Sequence, residues 1–121
     1  MRILLVEDEP ATRFLIERII SRQGYELVAA DSGTLALSKL EECVFDLVVT
    51  DMTLPDIPGH QLVREIRCGN TRQERDLPII VLSGKTKEQM IEECVGLNIQ
   101  DFIEKPFTPQ ALRISIANLQ L

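Results

Sequence analysis

Asp46-Leu47-Val48-Val49-Thr50-Asp51 is the stretch that decides the fold. Its middle is an apolar and β-branched run, the composition of a strand covered on both faces, and a carboxylate follows its last residue. Strands covered on both faces belong to parallel sheets, and parallel sheets need helical crossovers. Working outward, similar runs recur at Ile3–Val6, Glu26–Ala30, Ile79–Leu82 and around Phe102. Amphipathic stretches separate them. The first helix is expected from about Pro10 to Gln23, with Gly24 as its stop and Leu15 and Ile19 on its inward stripe. The second covers about Thr34–Glu42 on Ala36, Leu37 and Leu40. The third covers about His60–Arg67 on Leu62, Val63 and Ile66, and a polar loop, Cys68–Asp76, follows. The fourth is expected over Lys87–Leu97 with Asn98 as its stop, and the last from the Thr108-Pro109 cap to the terminus. Strict alternation predicts an α/β fold: one doubly wound sheet of five parallel strands with five helices on its two faces.

The bulk properties narrow the function. A chain of 121 residues has room for one domain and one core. Thirteen Lys and Arg against nineteen Asp and Glu leave a net charge of −6, which argues against direct nucleic-acid or membrane binding by this domain. No apolar run approaches the ~20 residues of a membrane span. The acidic cluster that directly follows Met1–Val6 is foreign to a signal peptide. Cys43, Cys68 and Cys94 are odd in number and widely spaced, so they read as free thiols of a reducing compartment. His60 has no second soft ligand near it in sequence, and a zinc site is not expected.

In doubly wound sheets the working site lies at the carboxyl ends of the strands. Those ends carry Glu7 and Asp8, Asp51, Ser83, and Lys105-Pro106. Each has an ordinary explanation alone: Asp51 as a turn cap, Glu7 and Asp8 as helix-dipole partners, Lys105 as a solvated charge. Their joint placement at four strand ends points to chemistry. Three carboxylates in one place repel unless a cation joins them, and an all-oxygen set suits Mg2+. Flavin mononucleotide binds through a phosphate, which Glu7-Asp8 would repel, and neither G-x-G-x-x-G nor G-x-x-x-x-G-K-[ST] is present. A lysine and a hydroxyl facing a metal-bound carboxylate suit a phosphoryl group, which needs its charge neutralised and its oxygens positioned.

Four motifs in order carry a family resemblance: Val6-Glu7-Asp8; Asp51-Met52-Thr53-Leu54-Pro55 with Gly59; Leu82-Ser83-Gly84; and Phe102-Ile103-Glu104-Lys105-Pro106-Phe107. On them the whole chain, residues 1–121, resembles the response-regulator receiver domains of two-component signalling, including the stand-alone chemotaxis type. The resemblance implies the flavodoxin-like strand order 2-1-3-4-5. It implies Asp51 as the phosphoacceptor for a phosphohistidine on a sensor histidine kinase or phosphotransfer protein. Asp8 is then the direct Mg2+ ligand, Glu7 acts through a water, and the Thr53 backbone carbonyl completes the protein's share. Lys105 pairs with the phosphoryl group, its peptide to Pro106 is cis, Ser83 binds a phosphoryl oxygen, and Phe102 is the rotating aromatic that reports the event. The surface of the fourth helix, fifth strand and fifth helix is expected to respond, in the cytoplasm, as a signalling switch and not an enzyme. Glu7, Gly84, Phe102, Asn98 and Pro58 depart from the family's commonest residues, where Asp, Ala, Tyr, Gly and Asp are frequent, and none removes a required group.

On the last helix, Leu112, Ile116 and Leu119 should face the sheet. Ile114, Ala117 and Leu121 form a second stripe, either scattered surface residues or a contact with a second copy or an attached output domain. The apolar end at Leu119 and Leu121 favours a domain cut from a longer protein over a stand-alone one. Two other functions compete. A phosphatase of the haloacid dehalogenase type expects an acid two residues after its nucleophile, where this chain has Thr53. A pseudo-receiver, a binding module without phosphorylation, usually lacks an acid or the lysine, and all are present here.

Overall fold

The computed structural model describes residues 1–119. Five strands alternate with five helices: β1 (Arg2–Val6), α1 (Pro10–Arg22), β2 (Glu26–Ala30), α2 (Gly33–Glu42), β3 (Leu47–Asp51), α3 (Gly59–Arg67), β4 (Ile79–Ser83), α4 (Lys87–Glu93), β5 (Asp101–Glu104) and α5 (Pro109–Ala117). All strand pairs are parallel, in the order β2-β1-β3-β4-β5. The expected architecture and strand order are both present. Every residue of the central strands β3 and β4 is buried, whereas the edge strand β2 is mostly half-exposed, which is why its sequence reads less apolar.

Side-chain alternation divides the core in two. Leu4, Val6, Val48, Ile79 and Val81 face α2, α3 and α4, packing on Ala36, Leu40, Leu62, Val63, Ile66 and Met90. Ile3, Leu5, Leu47, Val49, Ile80, Leu82 and Ile103 face α1 and α5, packing on Ile16, Ile19, Ile20, Leu112 and Ile116.

Three local expectations need correction. Ile16, Ile19 and Ile20 form the inward stripe of α1, while Leu15 is 44% exposed. Phe14, Leu15, Ile16, Ile19 and Ile20 offer more stripe than the sheet needs, and at ~100° per residue Leu15 falls just outside it. Helix α4 stops at Glu93, not Leu97, because Gly96 and Asn98 both have positive φ (79° and 54°) and end the regular turns between them. The last helix stops at Ala117, with Asn118 as its C-cap, before the terminus. Elsewhere the caps match: Gly24 takes φ 83° after α1, and the Thr108 side chain accepts from the Ala111 amide at the start of α5. Leu112 and Ile116 are buried on the sheet with Leu119 against the same cluster. Ile114 and Ala117 are exposed, and Leu121 lies outside the described residues.

Candidate phosphoryl-transfer site

The register of the sheet brings the strand-end residues together. Val6 pairs with Thr50, so Glu7 and Asp51 occupy neighbouring positions at the rim. Asp51 pairs with Leu82 and Ser83 with Glu104, which puts Lys105 next on the same edge; its amide donates to the Ser83 carbonyl at 2.7 Å. By alternation, Glu7, Asp51 and Lys105 share the α1/α5 side of the sheet. Ser83 and Phe102 share the opposite side, with Phe102 beside Val81 and packed against the α2–α4 core.

Lys105 is the hub. Its Nζ donates to Glu7 Oε1 at 2.5 Å and to Asp51 Oδ2 at 2.9 Å. Glu7 is fully buried and Asp51 is 6% exposed, while Asp8 is exposed at the mouth. Burial drives the Glu7 carboxyl above the usual carboxylate range; Lys105 pulls it part-way back and the Asp51 charge pushes it up again. Burial alone would lower the Lys105 ammonium, but its bonds to Glu7 and Asp51 outweigh that and raise it. One carboxylate oxygen from each of Glu7, Asp8 and Asp51 lies within 4.8 Å of the others. Three carboxylates against one ammonium leave about two negative charges in one small site, which a divalent cation neutralises. The donors are all hard oxygens, so they fit Mg2+ better than a softer metal.

The loop after β3 is wrapped tightly around Asp51. The Thr53 amide donates to Asp51 Oδ1 at 3.1 Å, and the Gly59 amide donates to the Met52 carbonyl at 2.9 Å. A Cβ on Gly59 would stand 2.4 Å from the Asp51 carbonyl oxygen, so this close approach of two backbones requires glycine. Ser83 is buried, and its Oγ accepts from the Lys85 amide at 3.1 Å. Gly84 has open space where a Cβ would go, so its lack of a side chain relieves no clash. The Lys105–Pro106 peptide is cis, as expected. Phe102 is half-buried.

Several long-range ties, at both ends of the strands, have no sequence signature. Arg67 donates to the carbonyls of Leu97 (2.7 Å), Asn98 (3.0 Å), Arg75 (2.7 Å) and Leu77 (2.7 Å), fixing the opposite edge of the sheet. Buried Gln73 accepts from the Phe45 amide at 2.9 Å and donates to the Leu40 and Cys43 carbonyls, at 2.7 and 2.5 Å. Glu104 accepts from the Lys87 amide at 2.6 Å, joining β5 to the start of α4. Asp56, in the loop after β3, bonds to the start of α2.

The family pattern "Response regulator receiver domain" matches residues 3–117, and the chain belongs to that family. Among curated relatives, response regulator SaeR of Staphylococcus aureus (strain USA300) is 32% identical over 117 residues, 97% of this chain. The chain spans about half the length of that relative, 49%. Among solved structures, the receiver domain of a sensor histidine kinase from Pseudomonas aeruginosa PAO1, with a magnesium ion coordinated in its active-site cleft, is 30% identical. It superposes with a TM-score of 0.85 over 99% of this chain and 98% of that one. Chemotaxis protein CheY4 of Vibrio cholerae is 25% identical, with a TM-score of 0.87 over 97% of this chain and 96% of that one.

Proposed function

We propose that residues 1–121 form one receiver domain that takes a phosphoryl group on Asp51 from a phosphohistidine of a sensor histidine kinase or phosphotransfer protein. The observation that carries this reading is the Glu7, Asp8 and Asp51 cluster with Lys105 bridging two of its members. Asp8 and Asp51, with the Thr53 carbonyl, would hold Mg2+ directly, and Glu7 would act through a water while its carboxylate holds Lys105. Bound magnesium supplies charge neutralisation for the transferring phosphoryl oxygens. A carboxylate oxygen of Asp51 attacks phosphorus, the P–N bond to the imidazole breaks, and an acyl phosphate forms. Lys105 Nζ, already 2.9 Å from Asp51 Oδ2, pairs with the new phosphoryl oxygens. The domain works in the cytoplasm as a switch, not as an enzyme with turnover as its purpose. Its output goes through a partner, a second copy or an attached domain on the α4–β5–α5 surface, where Ile114 and Ala117 are exposed. The magnesium in the cleft of the Pseudomonas receiver supports the metal assignment by analogy.

Incubation with acetyl phosphate and magnesium, followed by intact mass, tests the function. A gain of one phosphoryl group, lost when the metal is chelated, is expected. No gain would leave the chain as a protein-interaction module without phosphorylation.

Magnesium is expected to bind in the millimolar to sub-millimolar range, because two carboxylates and a carbonyl leave water to fill the remaining positions. Asp8→Ala should weaken binding about tenfold or more, and Glu7→Gln less, measured by calorimetric titration. A larger loss with Glu7→Gln would reverse the direct and water-mediated roles.

The dianionic phosphoryl group gives Ser83 a charged acceptor, a bond worth about 1–3 kcal/mol. Ser83 and Phe102 lie on one face of neighbouring strands, so a Ser83 shift vacates space into which Phe102 rotates. Ser83→Ala should still accept phosphate but lose most of the amide shift changes that beryllofluoride induces near Phe102 and α5. Shifts confined to the Asp51 loop in wild type would show that this switch does not operate.

A further inference from the structure

The loop between β3 and α3 carries Thr53, yet its own sequence, Leu54-Pro55-Asp56-Ile57-Pro58-Gly59, gives it few internal hydrogen bonds. Pro55 and Pro58 have no amide hydrogen to give. What holds the loop is Asp56. Its Oδ1 accepts from the Gly33 amide at 2.9 Å and from its neighbour Ile57's amide at 2.9 Å. Its Oδ2 accepts from the Thr34 amide at 2.8 Å and from the Thr34 hydroxyl. Gly33 and Thr34 open α2, so the carboxylate takes two of the amides that a helix start leaves without intrahelical partners. The contact is also steric: a Cβ on Gly33 would stand 2.2 Å from Ile57 Cγ1, and Ile57 packs into the core under α2 and α3. The Thr34 hydroxyl and amide, followed by the Gly33 and Ile57 amides, hold the Asp56 carboxyl well below the usual carboxylate range, although it is exposed. It is therefore ionised and bonded at any pH at which the domain works.

We propose that Asp56 is a positioning residue for the Asp51 site, a latch that fixes the β3–α3 loop on α2 so that Thr53 stays folded over Asp51. For its effect on metal binding the idea rests on the reading of Asp51 and Thr53 as a magnesium site. The geometry gives the loop two anchors: Gly59 against the Asp51 and Met52 backbone at one end, and Asp56 against α2 in the middle. With the Asp56 anchor gone, the middle of the loop keeps only the apolar packing of Leu54 and Ile57, and the Thr53 amide loses part of its fixed approach to Asp51 Oδ1. Partners that orient a ligand from outside the coordination sphere typically matter by ~10–100-fold in metal affinity. An exposed latch acting through three residues of loop should sit at or below the lower end.

The control is built into the same helix start. Ser32 Oγ accepts from the Leu35 amide at 3.1 Å and caps α2, with no hydrogen bond from its side chain to the loop among the described residues. Ser32→Ala and Asp56→Ala should therefore destabilise α2 to a similar extent, and only Asp56→Ala should affect the site. In the metal-free protein, Asp56→Ala should speed hydrogen exchange at the Thr53 amide about tenfold, with no such change in Ser32→Ala. In magnesium titrations, Asp56→Ala should raise the dissociation constant about three- to tenfold, and Ser32→Ala should leave it within twofold. Thr34→Val, which removes one of the four donors, should fall between wild type and Asp56→Ala in both measurements. Equal effects of Asp56→Ala and Ser32→Ala, or none from Asp56→Ala, would overturn the latch. Wild type that binds no magnesium would overturn the metal reading instead, and the exchange measurement would still decide the latch.

Discussion

Asp51→Asn is expected to fold as wild type does and to gain no phosphoryl group from acetyl phosphate and magnesium, where wild type gains one. The fold should survive because the amide keeps what the local structure uses. An Asn oxygen still accepts from the Thr53 amide, now 3.1 Å from Oδ1, and Lys105 keeps its bond to Glu7. The substitution also removes one negative charge from a site that holds three carboxylates, so the melting temperature should stay level or rise. The chemistry should not survive, because a neutral amide is no nucleophile toward phosphorus and is a poor ligand for the metal. The loss should be complete within the sensitivity of intact mass. Equal labelling of both proteins would move the acceptor to Asp8 or Glu7.

Lys105→Met should be the most damaging substitution for stability at the site. Glu7 is fully buried, and Lys105 at 2.5 Å is its charge partner. Removing one member of a buried pair leaves an uncompensated charge and typically costs ~3–5 kcal/mol. The Lys105 side chain is 22% exposed, so a value near the lower end, about 3 kcal/mol, is expected. If the cause is the stranded carboxylate, adding Glu7→Gln to Lys105→Met should recover most of that loss. Urea unfolding of wild type, the two single variants and the double variant closes the cycle. No recovery would mean that Lys105 stabilises the rim through its aliphatic stem instead of its charge. Phosphoryl uptake should fall in both Lys105 variants, recovered stability or not, since the cation that pairs with the phosphoryl oxygens is missing.

The central strands, and the gathering of polar residues at their carboxyl ends, were legible in the sequence for one physical reason. A strand buried on both faces is written as an apolar run, so Glu7 and Ser83 stand out as the first polar residues at the ends of β1 and β4, Asp51 follows Thr50 in β3, and Lys105 follows Glu104 in β5. Helix phase was harder to read. In α1 the residues Phe14, Leu15, Ile16, Ile19 and Ile20 are all apolar, and only the sheet's position decides that Phe14 and Leu15 stay out. The end of α4 was misplaced because two residues capable of positive φ, Gly96 and Asn98, lie two positions apart and both use it. The long-range ties were beyond sequence reasoning altogether. Asp56 meets residues 22 and 23 positions away, and Arg67 reaches the Leu97 and Asn98 carbonyls, 30 and 31 positions on. Nothing in composition or periodicity encodes such a meeting; it follows only once the strands are in register.

The alternation that sends Lys105, Glu7 and Asp51 to one side of the sheet and Ser83 and Phe102 to the other makes the strand rim a hinge between two territories. On the proposed reading, the phosphoryl group is taken on the α1/α5 side, and the response leaves along β5, where α4 of one territory and α5 of the other flank the same edge. Residues within one territory pack against each other, so their substitutions should couple; across the sheet, only the rim residues themselves are shared. A lineage could then alter the outer face of α1 without disturbing Ser83 or Phe102, or alter α4 without disturbing Glu7, Asp51 and Lys105. Two independently tunable faces joined by a single edge would let wiring diverge without rebuilding the switch.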